Sequence, residues 1–418
     1  MTTTCDITDI CTRAKAASHV LAGIPGRTRN KALLAAADAL EAGASGILAA
    51  NAADVSAATA RGLSAAMIDR LTLNDARIAA MARGLREVAA LPDPLARRLA
   101  TFRRPNGLVI SKVPVPIGVI AIIFESRPNV AADAAALCVK SGNAAILRGG
   151  REALSSNCAI SDILSAAFAS AGLPADAVQL IRDTDHALVG ELVRKEGLVD
   201  LVIPRGGESL VRAVMESARV PVLKHYNGIC HIYVHSDADI PQAIDIIHNA
   251  KCQRPGTCNA VEKVLVHKDV ARRFIPRLAK ACAKWGVELR ADAAARAIAP
   301  ELKPATDADW SAEYLDLILT LGVVDGLDAA IAHINRFGSH HSDAILARDD
   351  DAAKAFLAGV DSAAVYHNAS TRFTDGGEFG FGCEMGISTD KLHARGPVGI
   401  KELTTYKYAV RGNGQIRK

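Results

Sequence analysis

Small apolar residues recur at helical spacing through the first part of the chain. Leu33, Ala37 and Leu40 fall on one stripe, and Asp38 and Glu41 lie off it. The same period runs from Asn51 to Arg61 and from Leu73 to Leu91, until Pro92 and Pro94 break it. The pattern then changes. Val109 to Val113 predicts a strand, and Gly118 to Phe124 (GVIAIIF) a fully buried one. The loop ESRPN follows, then a helix from about Val130 to Lys140 that ends at Ser141, Gly142 and Asn143. AAIL, VQLI and LVDLVI supply further short strands, with predicted helices from Ser155 to Ala171, Asp185 to Glu196 and Glu208 to Ala218. This alternation predicts an α/β fold with a parallel sheet covered on both faces. Ligands on such sheets bind beyond the carboxyl ends of the strands, so ESRPN, RGGRE and PRGGES are expected to line one crevice.

Asp237 and Asp239 before Pro241 mark another helix start, with the helix running to about Lys251. QRPGTCN stops it, and EKVLVH predicts the strand that opens a second α/β unit. Cys258 therefore falls in a constrained turn, where a side chain can be presented to a cleft. The second domain is expected to run to about Gly380. After GPVGIKELTTYKY the chain is short, polar and β-prone, suited to adding an edge strand to another subunit.

Composition narrows the function classes. A length of 418 residues, half of them apolar, suits two domains plus an appendage. The net charge of +4 is small and scattered, giving no reason to expect nucleic acid. MTTTCDITDI has no basic segment followed by an apolar run, so no signal peptide is expected. The longest strongly apolar stretch, Val113 to Phe124, carries prolines and falls short of the ~20 residues of a spanning helix. A cytoplasmic protein without a membrane segment is expected. The nine cysteines include no CxxC pair, and eight are expected to be free, small, buried apolar residues.

No G-x-G-x-x-G follows a predicted strand. Instead, Arg148-Gly149-Gly150 and Arg205-Gly206-Gly207 sit at strand-to-helix loops. Glycine there lets backbone approach a phosphate, and arginine pairs with anionic oxygen. A tight turn with a solvated arginine fits the same spacing. Cys258 lies in RPGTCNAVE, with Arg254 nearby. A nucleophilic thiol needs a polar, accessible setting; spacing alone favours a buried structural cysteine. His333, His340, His341 and His367 share a region with Cys383, but no C-x-x-C or H-E-x-x-H spacing occurs. No metal is expected, and these histidines are read as orienting loops or contacting substrate.

QRPGTCNAVEKVLVH resembles the nucleophile segment of the γ-glutamyl phosphate reductases, a branch of the aldehyde dehydrogenase superfamily. VDGLDAAIAHINRFGSHHSDAI is similar to that family's signature, with Phe337 standing where the family has His or Tyr. PIGVIAIIFESRPNV, KSGNAAILRGG, HYNGICHIYV and NASTRFTDGGEFGFG match as well, in the same order over nearly the whole chain. The resemblance implies an aldehyde-dehydrogenase-like fold. Its parts would be a parallel-sheet cofactor domain (1–255, with 384–403 returning to it), an α/β catalytic domain (256–383) and an oligomerisation tail (404–418). It implies reduction of glutamate 5-phosphate by NADPH to glutamate 5-semialdehyde and phosphate, the second step of proline synthesis, through a thioester on Cys258. Homo-oligomers follow from the same resemblance, and a partnership with the upstream glutamate kinase is plausible because acyl phosphates are unstable.

The resemblance also implies site residues. Arg148 falls where relatives place a lysine near the adenosine ribose, with Gly149 beside it. Gly206 and Gly207 match the pyrophosphate loop, and Glu313 matches a glutamate that holds the nicotinamide ribose. Arg127, Arg254 and Arg372 are candidates for the substrate's anionic groups, and Asn129 and Asn368 for its amino-acid end. Oxidising relatives carry a water-activating glutamate in Glu-Leu-Gly-Gly; His225-Tyr226-Asn227-Gly228 stands there instead. The oxyanion asparagine of those enzymes is matched by Ser126. Two other readings stay open: a Cys-dependent acyl hydrolase, and a cofactor-binding scaffold without turnover.

Overall fold

The computed structural model describes residues 5–417, which fall into two compact units. The first comprises residues 5–224, Gly380–Gly386 and 398–417; the second comprises His225–Phe379 and Ile387–Pro397.

The first unit opens with helices at Ile7–Leu21, Gly26–Ala42, Ala44–Ala60, Ala65–Leu71 and Asp75–Ala90. Asp6, Ser64 and Asn74 accept hydrogen bonds from backbone N–H groups at three of the N-termini. Leu33, Ala37 and Leu40 are buried, as their stripe predicts. An antiparallel ribbon follows, β1 (Ala100–Arg103) and β2 (Val109–Pro116). Then comes a parallel sheet of β3 (Val119–Phe124), β4 (Ala144–Arg148), β5 (Val178–Leu180) and β6 (Leu201–Arg205), in the order β5-β4-β3-β6. β3 is apolar throughout and the helix Asn129–Lys140 that follows it is almost wholly buried, because sheet and helices enclose them. The chain goes from β3 outward to β4 and β5, then crosses to the other side of β3 for β6. The loops after β3 and β6 therefore flank a topological switch point.

The second unit carries a seven-stranded parallel sheet. Its strands are β7 (Cys230–Val234), β8 (Val261–His267), β9 (Glu288–Ala291), β10 (Lys303–Pro304), β11 (Ile318–Val324), β12 (Ser342–Leu346) and β13 (Ala364–His367). They lie in the order β10-β9-β11-β8-β7-β12-β13. Ile232, Val264, Val266, Phe274 and Leu321 form its core.

The α/β class and the parallel sheets are as the pattern predicts. The boundaries differ. The units divide at Lys224/His225 rather than after residue 255, because β7 and the helix Ile240–Cys252 belong to the seven-stranded sheet. The returning segment is split as well. Ile387–Ser388 pairs with Gly396–Pro397, and Arg395 bonds Asp361 at 2.7 Å, tying that ribbon to the second unit. Val398 onward rejoins the first. The tail strand Thr404–Arg411 pairs antiparallel with β2, and the buried Asn143 amide secures its start by donating to the Leu403 carbonyl at 2.8 Å. The helix predicted from Asp185 to Glu196 is only Ala187–Leu192. No single helix among the described residues is long and apolar enough to cross a membrane.

Candidate active site

Cys258 lies in the turn between the helix Ile240–Cys252 and β8, and it is partly exposed. The backbone on either side is fixed. Thr257 donates its hydroxyl to the Arg254 carbonyl at 2.9 Å. The buried Asn259 amide donates to the Thr374 carbonyl at 2.9 Å and the Arg372 carbonyl at 3.3 Å. Its oxygen lies 3.0 Å from the same Thr257 hydroxyl, which shares its one proton between the two acceptors, and accepts from the Arg372 guanidinium. Thr371 returns a bond to the Asn259 carbonyl at 2.7 Å. A second loop closes on this turn from the amino end of β7. A Cβ at Gly228 would sit 1.7 Å from the Cys258 carbonyl oxygen, so only glycine permits the approach. Glu313 accepts the Gly228 N–H at 2.8 Å, and Ser339 accepts that of Ile229 at 2.8 Å.

Two histidines flank the thiol. One ligating atom from each of His225, Cys258 and His341 lies within 4.8 Å of the others. The histidine rings meet edge-on, with centroids 5.5 Å apart. His225 places Nδ1 2.8 Å from the Ile387 carbonyl, which puts the proton on that nitrogen. His341 is fully buried, with Nδ1 2.9 Å from the Ser342 hydroxyl and Nε2 without a hydrogen-bond partner. Burial, helped by His225, holds its pKa well below the usual histidine value, so it stays neutral. The Cys230 thiol donates to the Cys258 carbonyl at 3.3 Å, and burial pushes its pKa well up, so it remains a thiol.

Arg372 also donates Nε to Gln253 at 2.8 Å. Burial, then the neighbouring Arg254, lowers its pKa, although a guanidinium stays charged throughout the working range. Two cations therefore stand together beside the Cys258 turn. Glu313 reaches Gly228 from a loop held by buried charges. Lys263 donates Nζ to the Ala312 carbonyl at 2.7 Å and sits over the Tyr314 ring at 4.3 Å. Glu262 accepts from Leu315 N at 3.4 Å and pairs with the fully buried Lys251 at 3.0 Å. Asn368 is not brought to this site. It follows β13 with φ of 53°, and its amide clasps the N–H and carbonyl of Ala347, beyond the carboxyl end of β12. Cys258, His225 and His341 all precede the amino ends of their strands.

In the first unit the glycine loops gather at the switch point. Gly207 caps the helix Glu208–Ser217 without a side-chain bond, and its N–H donates to the Glu125 carboxylate at 3.0 Å. An anion thus already sits at that helix N-terminus. Gly206 backs onto the same carboxylate. A Cβ on Gly149 would run into Asn157, whose buried amide has no partner on either atom. Arg148 is buried, with its terminal nitrogens on the Gly149 and Thr184 carbonyls and Nε unpartnered. Ser126 donates its hydroxyl to Glu152 at 2.6 Å, and Asn129 turns into its own helix to bond Asp133 at 3.0 Å. Arg127 lies between them, half-buried.

Comparison with known proteins identifies this arrangement. The model of the aldehyde dehydrogenase family matches residues 1–306. A γ-glutamyl phosphate reductase from Thermoanaerobacter pseudethanolicus is 54% identical over 406 residues, covering 97% of this chain and 98% of the relative. The chain belongs to the γ-glutamyl phosphate reductase branch of the aldehyde dehydrogenase family. Another such reductase, from Geotalea daltonii, is 52% identical over 418 residues and covers both chains fully. The crystal structure of the reductase from Thermotoga maritima superposes with a TM-score of 0.97 at 46% identity, covering 99% of this chain and 100% of that one.

Members of this family use a nicotinamide cofactor, and the first unit suits one. The buried Asn157 amide and the Arg148 Nε stand without partners beside the glycine loops and fit a phosphate oxygen, whereas the Glu125 carboxylate already occupies the helix N-terminus at Gly207. The reading from sequence missed His225 and His341 as neighbours of the nucleophile. The signal was a histidine just ahead of each of two strands, in HYNG and SHHSD. Only the order β8-β7-β12 turns that signal into proximity. Four cysteines are buried (Cys11, Cys138, Cys230 and Cys282) and the others partly so; no disulfide links any of the described cysteines.

Proposed function

We propose that the protein reduces L-glutamate 5-phosphate to L-glutamate 5-semialdehyde with NADPH, releasing phosphate, as the second step of proline synthesis. The observation that carries this reading is the Cys258 turn, held rigid by Asn259 and flanked by Arg254 and Arg372, in a chain 54% identical to a named γ-glutamyl phosphate reductase. The arginines draw the acyl phosphate to the thiol. Cys258 sulfur adds to the acyl carbonyl, the carbon–oxygen bond to phosphate breaks, and a thioester remains. When bound, a nicotinamide dinucleotide would supply the hydride that reduces the thioester carbon. The resulting thiohemiacetal collapses to aldehyde and frees the sulfur. The Cys258 N–H is the candidate donor to the oxyanion. The segment His225-Tyr226-Asn227-Gly228 carries no carboxylate of its own to activate water, which protects the thioester, and the nearby Glu313 is engaged by the Gly228 N–H.

In this reading the first unit holds NADPH through Arg148, Gly149, Gly206 and Gly207, and Glu313 serves the nicotinamide ribose by releasing Gly228. Arg127 and Asn129 serve the substrate's polar groups. The exposed tail strand, with Tyr406, Tyr408 and Val410 on its surface, is the segment for self-association. Nine cysteines without a disulfide among them suit a reducing compartment such as the cytoplasm.

The proximity of His225 to Cys258 also favours a second reading, a thiol hydrolase. The reverse assay separates the two: phosphate-dependent reduction of NADP⁺ by glutamate semialdehyde, for wild type and Cys258→Ser. The reductase reading expects turnover that disappears in the variant and when both phosphate and arsenate are omitted. Release of glutamate from the acyl phosphate without NADPH consumption sinks it.

A further inference from the structure

Two borderline ligands stand against the soft sulfur of the nucleophile, and the mechanism above uses only the sulfur. One ring nitrogen of His225, one of His341 and the Cys258 sulfur lie within 4.8 Å of each other. A tetrahedral zinc ion holds nitrogen at about 2.0 Å and sulfur at about 2.3 Å, which sets its ligands roughly 3.3 to 3.6 Å apart. Small side-chain rotations close that gap. Two further observations point to a ligand. His341 is fully buried yet leaves Nε2 without a partner, an unsatisfied position rare in protein interiors. His225 donates Nδ1–H to the Ile387 carbonyl, leaving Nε2 as its lone-pair nitrogen. A second hydrogen bond of this kind is what fixes metal-binding imidazoles in metalloproteins.

We propose that His225, Cys258 and His341 form a site for Zn²⁺ or a similar thiophilic divalent cation, and that its occupancy reversibly blocks the enzyme. The site offers three protein ligands and leaves a fourth position for water or a phosphate oxygen. Binding replaces the thiol proton with the metal, so one proton is released and no redox change occurs. A sulfur whose lone pair is given to zinc does not attack a carbonyl, so the ion acts as an inhibitor and not as a catalytic metal. Metal binding here depends on the three side chains and not on the identity of the acyl substrate. Its test is therefore separate from the test of the reductase reading.

The test uses the full-length protein in a phosphate-free buffer without chelating components. Zn²⁺ is titrated while alkylation of the Cys258 peptide by iodoacetamide is followed by mass spectrometry, in wild type, His225→Gln and His341→Gln. Co²⁺ replaces Zn²⁺ in a parallel titration read by thiolate-to-cobalt charge-transfer absorption, with Cys258→Ser included. The expected result is protection of Cys258 by zinc, reversed by EDTA. Each histidine variant should need at least about tenfold more zinc, the worth of roughly 1.4 kcal/mol per lost ligand. A cobalt band should appear in wild type and vanish in Cys258→Ser. Should His341→Gln fail to fold by circular dichroism, the His225 variant and the cobalt spectrum still decide. Equal zinc protection in wild type and the folded histidine variants, or no thiolate band with cobalt, overturns the proposal.

Discussion

Gly228→Ala tests how the nucleophile is placed. The added methyl would fall 1.7 Å from the Cys258 carbonyl oxygen and 2.7 Å from its Cα, both backbone atoms. Neither can rotate away. Bringing the methyl out to 3.0 Å, below which Cβ contacts are essentially never found, moves one loop by about 1.3 Å. The shift also breaks or lengthens the 2.8 Å bond from Gly228 N–H to Glu313, a charge-assisted bond worth about 1.5–3 kcal/mol. A displacement of about 1 Å at a reacting centre costs on the order of 100-fold in rate. The variant should therefore fold with a modestly lower Tm and lose about two orders of magnitude of kcat in the reverse assay. Its KM for phosphate should change much less, because Arg372 is held by Asn259 and Gln253, not by Gly228. Normal kcat with an unchanged alkylation rate at Cys258 would refute the packing argument.

Further substitutions probe the charges. Arg254→Ala should raise KM for phosphate about tenfold or more with kcat little changed, whereas Arg372→Ala should lower both affinity and kcat because Arg372 also braces Asn259; unaltered KM in both removes the arginines from the phosphate site. Lys251→Met strands Glu262 in the core and should cost about 3–5 kcal/mol, read as a fall in denaturant midpoint. Burial pushes the Glu262 carboxyl up, and loss of Lys251 pushes it further, so that cost should shrink as pH falls and the carboxylate takes up a proton. His333 is held down to about 4 by burial and then by His231, and His341 lies well below its usual value. As pH falls below about 6.5 the unfolded chain takes protons that the folded one refuses, so stability falls, by at most about 1.4 kcal/mol per pH unit for each histidine. His333's share, reduced by its partial exposure, should level off below about pH 4, and His333→Gln should flatten the acid limb of stability against pH; an unchanged slope contradicts it.

By itself the sequence determined the α/β class, the buried β3, the helix after it and the glycine loops. These depend on local period and on turn residues, which act within a few positions. It also pointed to Cys258, through a run of residues shared with a known family. Strand order it did not contain. The boundary at His225 and the meeting of His225, Cys258 and His341 at the amino ends of β7, β8 and β12 arise from long-range pairing, which no local period encodes. Asn368 shows the converse: its motif suggested substrate, while tertiary hydrogen bonding commits both ends of its amide to Ala347. Side-chain roles at this site follow from which backbone groups stand unsatisfied after the sheet has formed, and that is settled only when distant strands lie side by side.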